Sequence, residues 1–186
     1  MGMGKVFVVG ITGASGIIYG RRIVEEMGKS AEVRLIVTGT AREIGRHEGV
    51  DLDGLRGTYE RNEDLAALIA SGSFRHDGMV VAPCSGKTLA GIAHGYAETL
   101  VARAADVTLK ERRRCILLLR EMPLSRVHLQ NMLAAHDAGA TVMVASPAFY
   151  HRPKTIDGLV DMVVGRVLDH LDIPHDLPVR WRGYDA

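Results

Sequence analysis

Five short runs of apolar, mostly β-branched residues punctuate the chain, at 6–9, 33–37, 79–82, 116–119 and 141–144. Between them apolar positions recur at helical spacing over 16–27, 64–70, 88–104 and 124–138, with a last helical pattern at 156–171. A strand that is apolar on both faces belongs in a parallel sheet covered on both sides. Its alternation with amphipathic helices predicts βαβ units, hence a single doubly wound α/β parallel sheet with helices on both faces. In such a sheet the ligand crevice lies beyond the carboxyl ends of the strands. The segment 45–61, rich in Gly, Asp and Arg, interrupts the alternation and reads as a surface excursion. Residues 174–186, with Pro174 and Pro178, read as an irregular tail. Trp181, between Arg180 and Arg182 in that tail, either closes a site across an interface or belongs to a disordered tail.

Length and composition narrow the class. The 186 residues are expected to form one domain over 1–186, large enough for a real core. A net charge of +1 argues against the broad basic footprint of a nucleic-acid-binding protein. No apolar run is long enough to span a membrane. The stretch Met1-Gly2-Met3-Gly4-Lys5 leads straight into the first strand, so no signal peptide is expected and the location expected is cytoplasmic. Two cysteines, Cys84 and Cys115, make no disulfide framework. The eight histidines are scattered without the spacing of a metal site, so no metal is expected.

Chemistry is expected where strands stop. Gly10-Ile11-Thr12-Gly13-Ala14-Ser15-Gly16 lies between the first strand and a helix. Free N–H groups and the helix dipole make such a turn a phosphate cradle; a tight βα turn without ligand is the alternative. Its glycine spacing is neither GxGxxG nor a P-loop. Thr38, after the second strand, either reaches a ribityl chain or phosphate or caps the next helix. Pro83-Cys84-Ser85-Gly86-Lys87-Thr88 opens a helix after the third strand and offers a second anion-binding end, or a simple hydroxyl cap. Cys84 reads as a buried structural thiol rather than a nucleophile. Arg103 and Lys110, seven residues apart, fall on one face if their helix continues, as phosphate ligands or as a solvated charge run. Arg120-Glu121 follows the fourth strand and pairs a cation with a candidate proton-handling group, or is a structural ion pair. Phe149 and Tyr150 follow the fifth strand, and Arg166 stands on the last helix. They are core aromatics, or the Tyr150 hydroxyl and Arg166 guanidinium bind phosphate.

In combination these blocks resemble the UbiX family of flavin prenyltransferases, flavoproteins of Rossmann- or flavodoxin-like fold, over nearly the whole chain. The resemblance rests on Gly-Ile-Thr-Gly-Ala-Ser-Gly, Pro-Cys-Ser-x-Lys-Thr-Leu-Ala, Arg-Ala-Ala-Asp-Val-x-Leu-Lys-Glu-Arg-Arg, Arg-Glu-x-Pro-Leu and Pro-Ala-Phe-Tyr, in that order. It implies transfer of a dimethylallyl group from dimethylallyl phosphate to N5 of reduced FMN, followed by ring closure onto C6. Neither stage needs a metal. The prenylated FMN would serve a UbiD-like decarboxylase, and the enzyme would be a homo-oligomer, a dodecamer by resemblance. The same resemblance assigns Gly13, Ala14, Ser15, Thr38, Ser85, Gly86, Lys87, Thr88 and Arg120 to FMN. Arg103, Lys110, Tyr150 and Arg166 fall to the dimethylallyl phosphate. Ser15 and Glu121 would transfer protons, and Lys110 would act in catalysis.

Departures are Gly86, where the family commonly has Met, together with Thr99 and Ser146. The Gly86 change bears on the wall of the flavin pocket. Two other readings compete. A flavin-dependent cysteine decarboxylase would carry a Pro-Ala-Ser-Ala-Asn-Thr type loop that is absent here. A non-catalytic flavin carrier would need no second phosphate site, and so would not need Arg103, Lys110, Glu121, Tyr150 and Arg166 together.

Overall fold

The parallel sheet runs β3-β2-β1-β4-β5-β6 in the computed structural model, which describes residues 4–177. Its strands are β1 (Val6–Ile11), β2 (Glu32–Val37), β3 (Thr58–Glu60), β4 (Gly78–Cys84), β5 (Arg114–Leu119) and β6 (Thr141–Val144). Every neighbouring pair is parallel, so each crossover passes over a face of the sheet. The helices are α1 (Ile17–Met27), α2 (Gly39–Glu48), α3 (Gly86–Ala93), α4 (Leu100–Lys110), α5 (Arg126–Asp137) and α6 (Ile156–His170). The strand order reverses between β1 and β4, the point at which such sheets open a crevice.

Side chains alternate across the strands into two cores. Phe7, Val9 and Ile11 of β1 face one way, with Ile23 and Val24 of α1 and Val163 and Val167 of α6. Val8 faces the other way, as do Met79 and Val81 of β4, against α3, α4 and α5. The sheet therefore separates α1, α2 and α6 from α3, α4 and α5. Among the described residues, no helix is long and apolar enough to cross a membrane.

Three expected elements differ. The segment 45–61 is more than a surface excursion: it holds the end of α2 and all of β3, which pairs with Arg34–Ile36. Thr58-Tyr59-Glu60 is too polar for a hydrophobic run to reveal it. The helix expected over 64–70 is reduced to one 3-10 turn, Leu68–Ala70. Asp64 turns the chain there by accepting the Ala66 amide at 3.0 Å, a local bond that competes with a helix. The helix expected over 88–104 is two helices. Gly95 takes the left-handed conformation at φ 66° and ends α3, and the Thr99 hydroxyl caps α4 by accepting the Ala102 amide. Residues 174–177 form no helix or strand; Arg180, Trp181 and Arg182 lie outside the described residues.

Candidate functional site

A single threonine joins the first two strand ends. Buried Thr12 donates its hydroxyl to Pro83 O at 2.8 Å and accepts the Ser85 amide at 2.9 Å. The third end joins through Arg120, whose amide donates to Cys84 O at 3.2 Å and whose Nε donates to Ser15 O at 3.1 Å. Ser15, Ser85, Arg120 and Glu121 are thereby collected at the carboxyl ends of β1, β4 and β5. No ion pair joins Arg120 to Glu121 or to any other described carboxylate, so the structural-pair alternative fails.

Both hydroxyl caps exist. The Ser85 Oγ accepts the Thr88 amide at 3.2 Å and lies 3.0 Å from the Thr88 hydroxyl, at the amino end of α3. Thr38 caps α2 by accepting the Ala41 amide at 3.2 Å, and its own amide donates to Ile11 O. Neither cap excludes a ligand, because the remaining amides of each first turn keep the dipole's positive end. Lys87 is exposed beside Ser85.

The amino end of α1 is different. Its cradle is already filled, because Glu48 from the end of α2 accepts the Gly16 amide at 2.8 Å and the Ile17 amide at 2.9 Å. A carboxylate at a helix amino end satisfies two orphan donors and the dipole together. Glu48 therefore stands where the sequence alone suggested a ligand phosphate. Gly13, Ala14 and Ser15 remain beside the opening, and Ser15 is exposed. A Cβ on Gly13 would come within 2.7 Å of Thr40 Cγ2, so only glycine lets the turn lie so close to α2.

The four residues expected to hold the prenyl phosphate are not brought together. Arg103 lies on α4, donating to Ala70 O at 3.2 Å and pairing with Asp106 at 2.8 Å. Lys110 ends the same helix about 10 Å further on. There its Nζ abuts Gly72, which precedes β4, at the amino ends of the strands. Its bond to Glu111 holds that carboxyl below the usual carboxylate range. Roughly 20 Å of strand thus separate Lys110 from the Ser15 crevice. Arg166 is on α6, half exposed and paired with Asp169 at 3.1 Å, on the opposite face of the sheet from α4. Tyr150 lies beyond β6, half exposed, with its ring edge-on to His151. Both ring nitrogens of His151 are buried without a hydrogen-bond partner among the described residues.

Cys84 is fully buried, and burial raises its thiol far above the ordinary range, with neighbouring Cys115 adding to the shift. Burial likewise pushes Cys115 up to about 12. A thiol held neutral is no nucleophile, in line with the structural reading. Among the described residues, no three His, Cys, Asp or Glu side chains converge as metal ligands. Composition and spacing pointed to neither Thr12, Glu48 nor His128. The last presents Nε2 3.2 Å from where a Cβ on Gly86 would stand.

Sheet order and switch point define a doubly wound domain, and the model of the Flavoprotein family matches residues 3–168. The chain is 48% identical to the flavin prenyltransferase UbiX of Deinococcus radiodurans, over 96% of this chain and 94% of that one. It is 46% identical to the Salmonella typhimurium protein of the same name, over 96% and 99%. The crystal structure of AnUbiX (PadA1) in complex with FMN and dimethylallyl pyrophosphate superposes with a TM-score of 0.93. That match is at 40% identity and covers 98% of this chain and all of that one. A dodecameric FMN-dependent UbiX-like decarboxylase from Escherichia coli O157:H7 gives 0.92 at 43% identity, over 96% of this chain and all of that one. The peptidyl-cysteine decarboxylase EpiD, at 16% identity, shares the fold alone. This chain belongs to the UbiX family of flavin prenyltransferases.

Proposed function

We propose that the protein transfers the dimethylallyl group of dimethylallyl phosphate to N5 of reduced FMN and then closes it onto C6, making prenylated FMN for a UbiD-like decarboxylase. Gly13, Ala14, Ser15, Thr38, Ser85, Gly86, Lys87, Thr88 and Arg120 hold FMN. The observation that carries this reading is the junction of three strand ends through Thr12 and Arg120. It leaves exposed Ser15, the amino end of α3 and an Arg120 without an ion pair to any described carboxylate at the same ends of the strands. These groups fit a flavin nucleotide: hydroxyls and amides suit ribityl and phosphate oxygens, and a guanidinium suits the phosphate or the electron-rich reduced ring.

Arg103, Lys110, Tyr150 and Arg166 stabilise the departing phosphate in place of a metal, with Lys110 acting in catalysis. Because the sheet lies between Arg103 and Arg166, and a strand's length between Lys110 and Ser15, one complete site takes these groups from more than one copy of the chain. Self-association is supported by exposed apolar side chains, among them Met122 at 84%, Phe149 at 69% and Ile156 at 73%. The His151 ring nitrogens, buried without a hydrogen-bond partner among the described residues, mark the Tyr150 loop as a segment whose polar contacts a second copy or a bound phosphate would complete. Glu121 and Ser15 move protons during ring closure. The balance is even: one proton adds to the alkene carbon nearer N5, and one leaves C6 as the ring carbon bond forms.

Anaerobic incubation with reduced FMN and dimethylallyl phosphate, followed by mass spectrometry of the released flavin, tests the reading. A flavin heavier by one five-carbon unit is expected. Unmodified FMN, with dimethylallyl diphosphate failing as well, overturns it in favour of a carrier.

A further inference from the structure

The surface over Gly86, at the amino end of α3, is bounded by two polar side chains. A Cβ built on Gly86 would lie 3.2 Å from His128 Nε2 and 3.7 Å from Glu121 Oε2. The two do not meet directly, since His175 is the only described histidine at ion-pair distance from a carboxylate. They flank a notch that a side chain at position 86 would fill.

The fold sets which nitrogen of His128 faces that notch with a proton. His128 is the third residue of α5, and it closes a capping box with Ser125. The Ser125 hydroxyl accepts the His128 amide at 3.3 Å, and His128 Nδ1 accepts the Ser125 amide at 3.2 Å. This is the role a Glu or Gln usually plays. A ring nitrogen that accepts an N–H bond carries no proton of its own, so the neutral imidazole carries its proton on Nε2. One turn later, buried Asn131 meets His94 Nε2 at 3.0 Å and ties α5 to the end of α3. The notch is therefore held from both helices.

We propose that His128 is a positioning residue for the proton chemistry of Glu121. It donates from Nε2 to a water seated in the Gly86 notch, and that water hydrogen-bonds the Glu121 carboxyl. Both side chains border the same space beside Gly86, and one water between them, set back from the Cα, bridges the two. His128 keeps its Nε2 proton throughout, because a relay would have to protonate Nδ1 and so break the capping bond from the Ser125 amide. Its part is to steady Glu121 Oε2, the oxygen on the Gly86 side, since Oε1 already accepts the Met122 amide at 3.1 Å; Glu121 gives and takes the proton of ring closure. The inference rests on Glu121 as the proton-transfer group.

Two readouts test it. In the flavin-free protein, 15N NMR of labelled histidine is expected to report His128 with its proton on Nε2; a proton on Nδ1 overturns the proposal. The second readout is a single turnover with reduced FMN and dimethylallyl phosphate, separating the N5-attached from the ring-closed flavin by chromatography. H128F, which removes the donor, is expected to attach the prenyl group at the wild-type rate. It should close the ring roughly tenfold or more slowly. H128E keeps an acceptor for the cap but has no N–H to donate, so it is expected to close the ring as slowly as H128F; recovery in H128E would leave His128 a capping residue only and overturn the proposal. Ring closure at the wild-type rate in H128F, with E121Q slow, sinks the role of His128 alone. Normal closure in E121Q as well sinks the assignment of Glu121 and the proposal with it.

Discussion

Glu48 closes the amino end of α1 by accepting the Gly16 amide at 2.8 Å, while its second carboxylate oxygen accepts the Ile17 amide at 2.9 Å. The turn that carries Ser15 is thus pinned on one side by a carboxylate from α2 and on the other by the Arg120 guanidinium. Replacing Glu48 with Ala leaves two helix-end donors to solvent. Loss of such a cap costs about 1–2 kcal/mol. E48A is expected to melt at lower temperature than the wild type and to hold FMN more weakly, with E48Q between them. Calorimetry and flavin titration would check this; an E48A melt identical to the wild type would refute it.

Arg103 and Lys110 stand on one face of the sheet and Arg166 on the other, so loss of each should injure a different part of a shared site. K110A and R166A chains are each expected to be inactive alone. Mixed after dissociation and reassembled together, they should recover part of the activity, because some sites then draw both cations from intact copies. Activity assays of the mixture decide the point, and no recovery at any mixing ratio would overturn the shared site.

His76 links stability to acidity. Burial lowers its pKa from 6.5, Arg113 adds to the shift, and the ring lies between Gly78 O and the Thr108 hydroxyl. The unfolded chain then takes up a proton at higher pH than the folded one. The stability due to the neutral ring is present above about pH 6.5 and lost as pH falls through the depressed folded value. Thermal melts from pH 7.5 to 5 should decline less steeply for H76Q than for the wild type. Equal slopes would show that His76 carries none of the acid sensitivity.

Gly20 is where α1 crosses β4. A Cβ there would stand 2.3 Å from the carbonyl oxygen of Ala82 and 3.0 Å from Ile11. The clash is with backbone, which has no rotamer to yield. G20A is expected to cost about 1–3 kcal/mol in forced displacement. Chemical denaturation would read this directly, and a variant as stable as the wild type would mean that the helix shifts freely.

The strand ends were legible because each followed a buried apolar run, which is why Ser15, Ser85 and Arg120 could be named before any coordinates. β3 was not, since Tyr59 and its polar neighbours carry no such run. Glu48 lies 32 residues beyond Gly16, in the segment least patterned of all, and its capping role depends on how α2 returns over α1. His128 was hidden differently: a capping box with His in place of Glu or Gln does not look like one. The division of Arg103 from Arg166 depends on which face of the sheet each crossover takes, and periodicity alone is blind to that.

The sheet's borders have a further consequence. β3 offers three residues at one margin and β6 four at the other. Open strand margins are templates for indiscriminate growth, and short ones recruit poorly. With most of its exposed apolar side chains on helices and loops, and only Tyr59 and Val144 of them on these brief margins, the chain offers little purchase for edge-to-edge fibre growth.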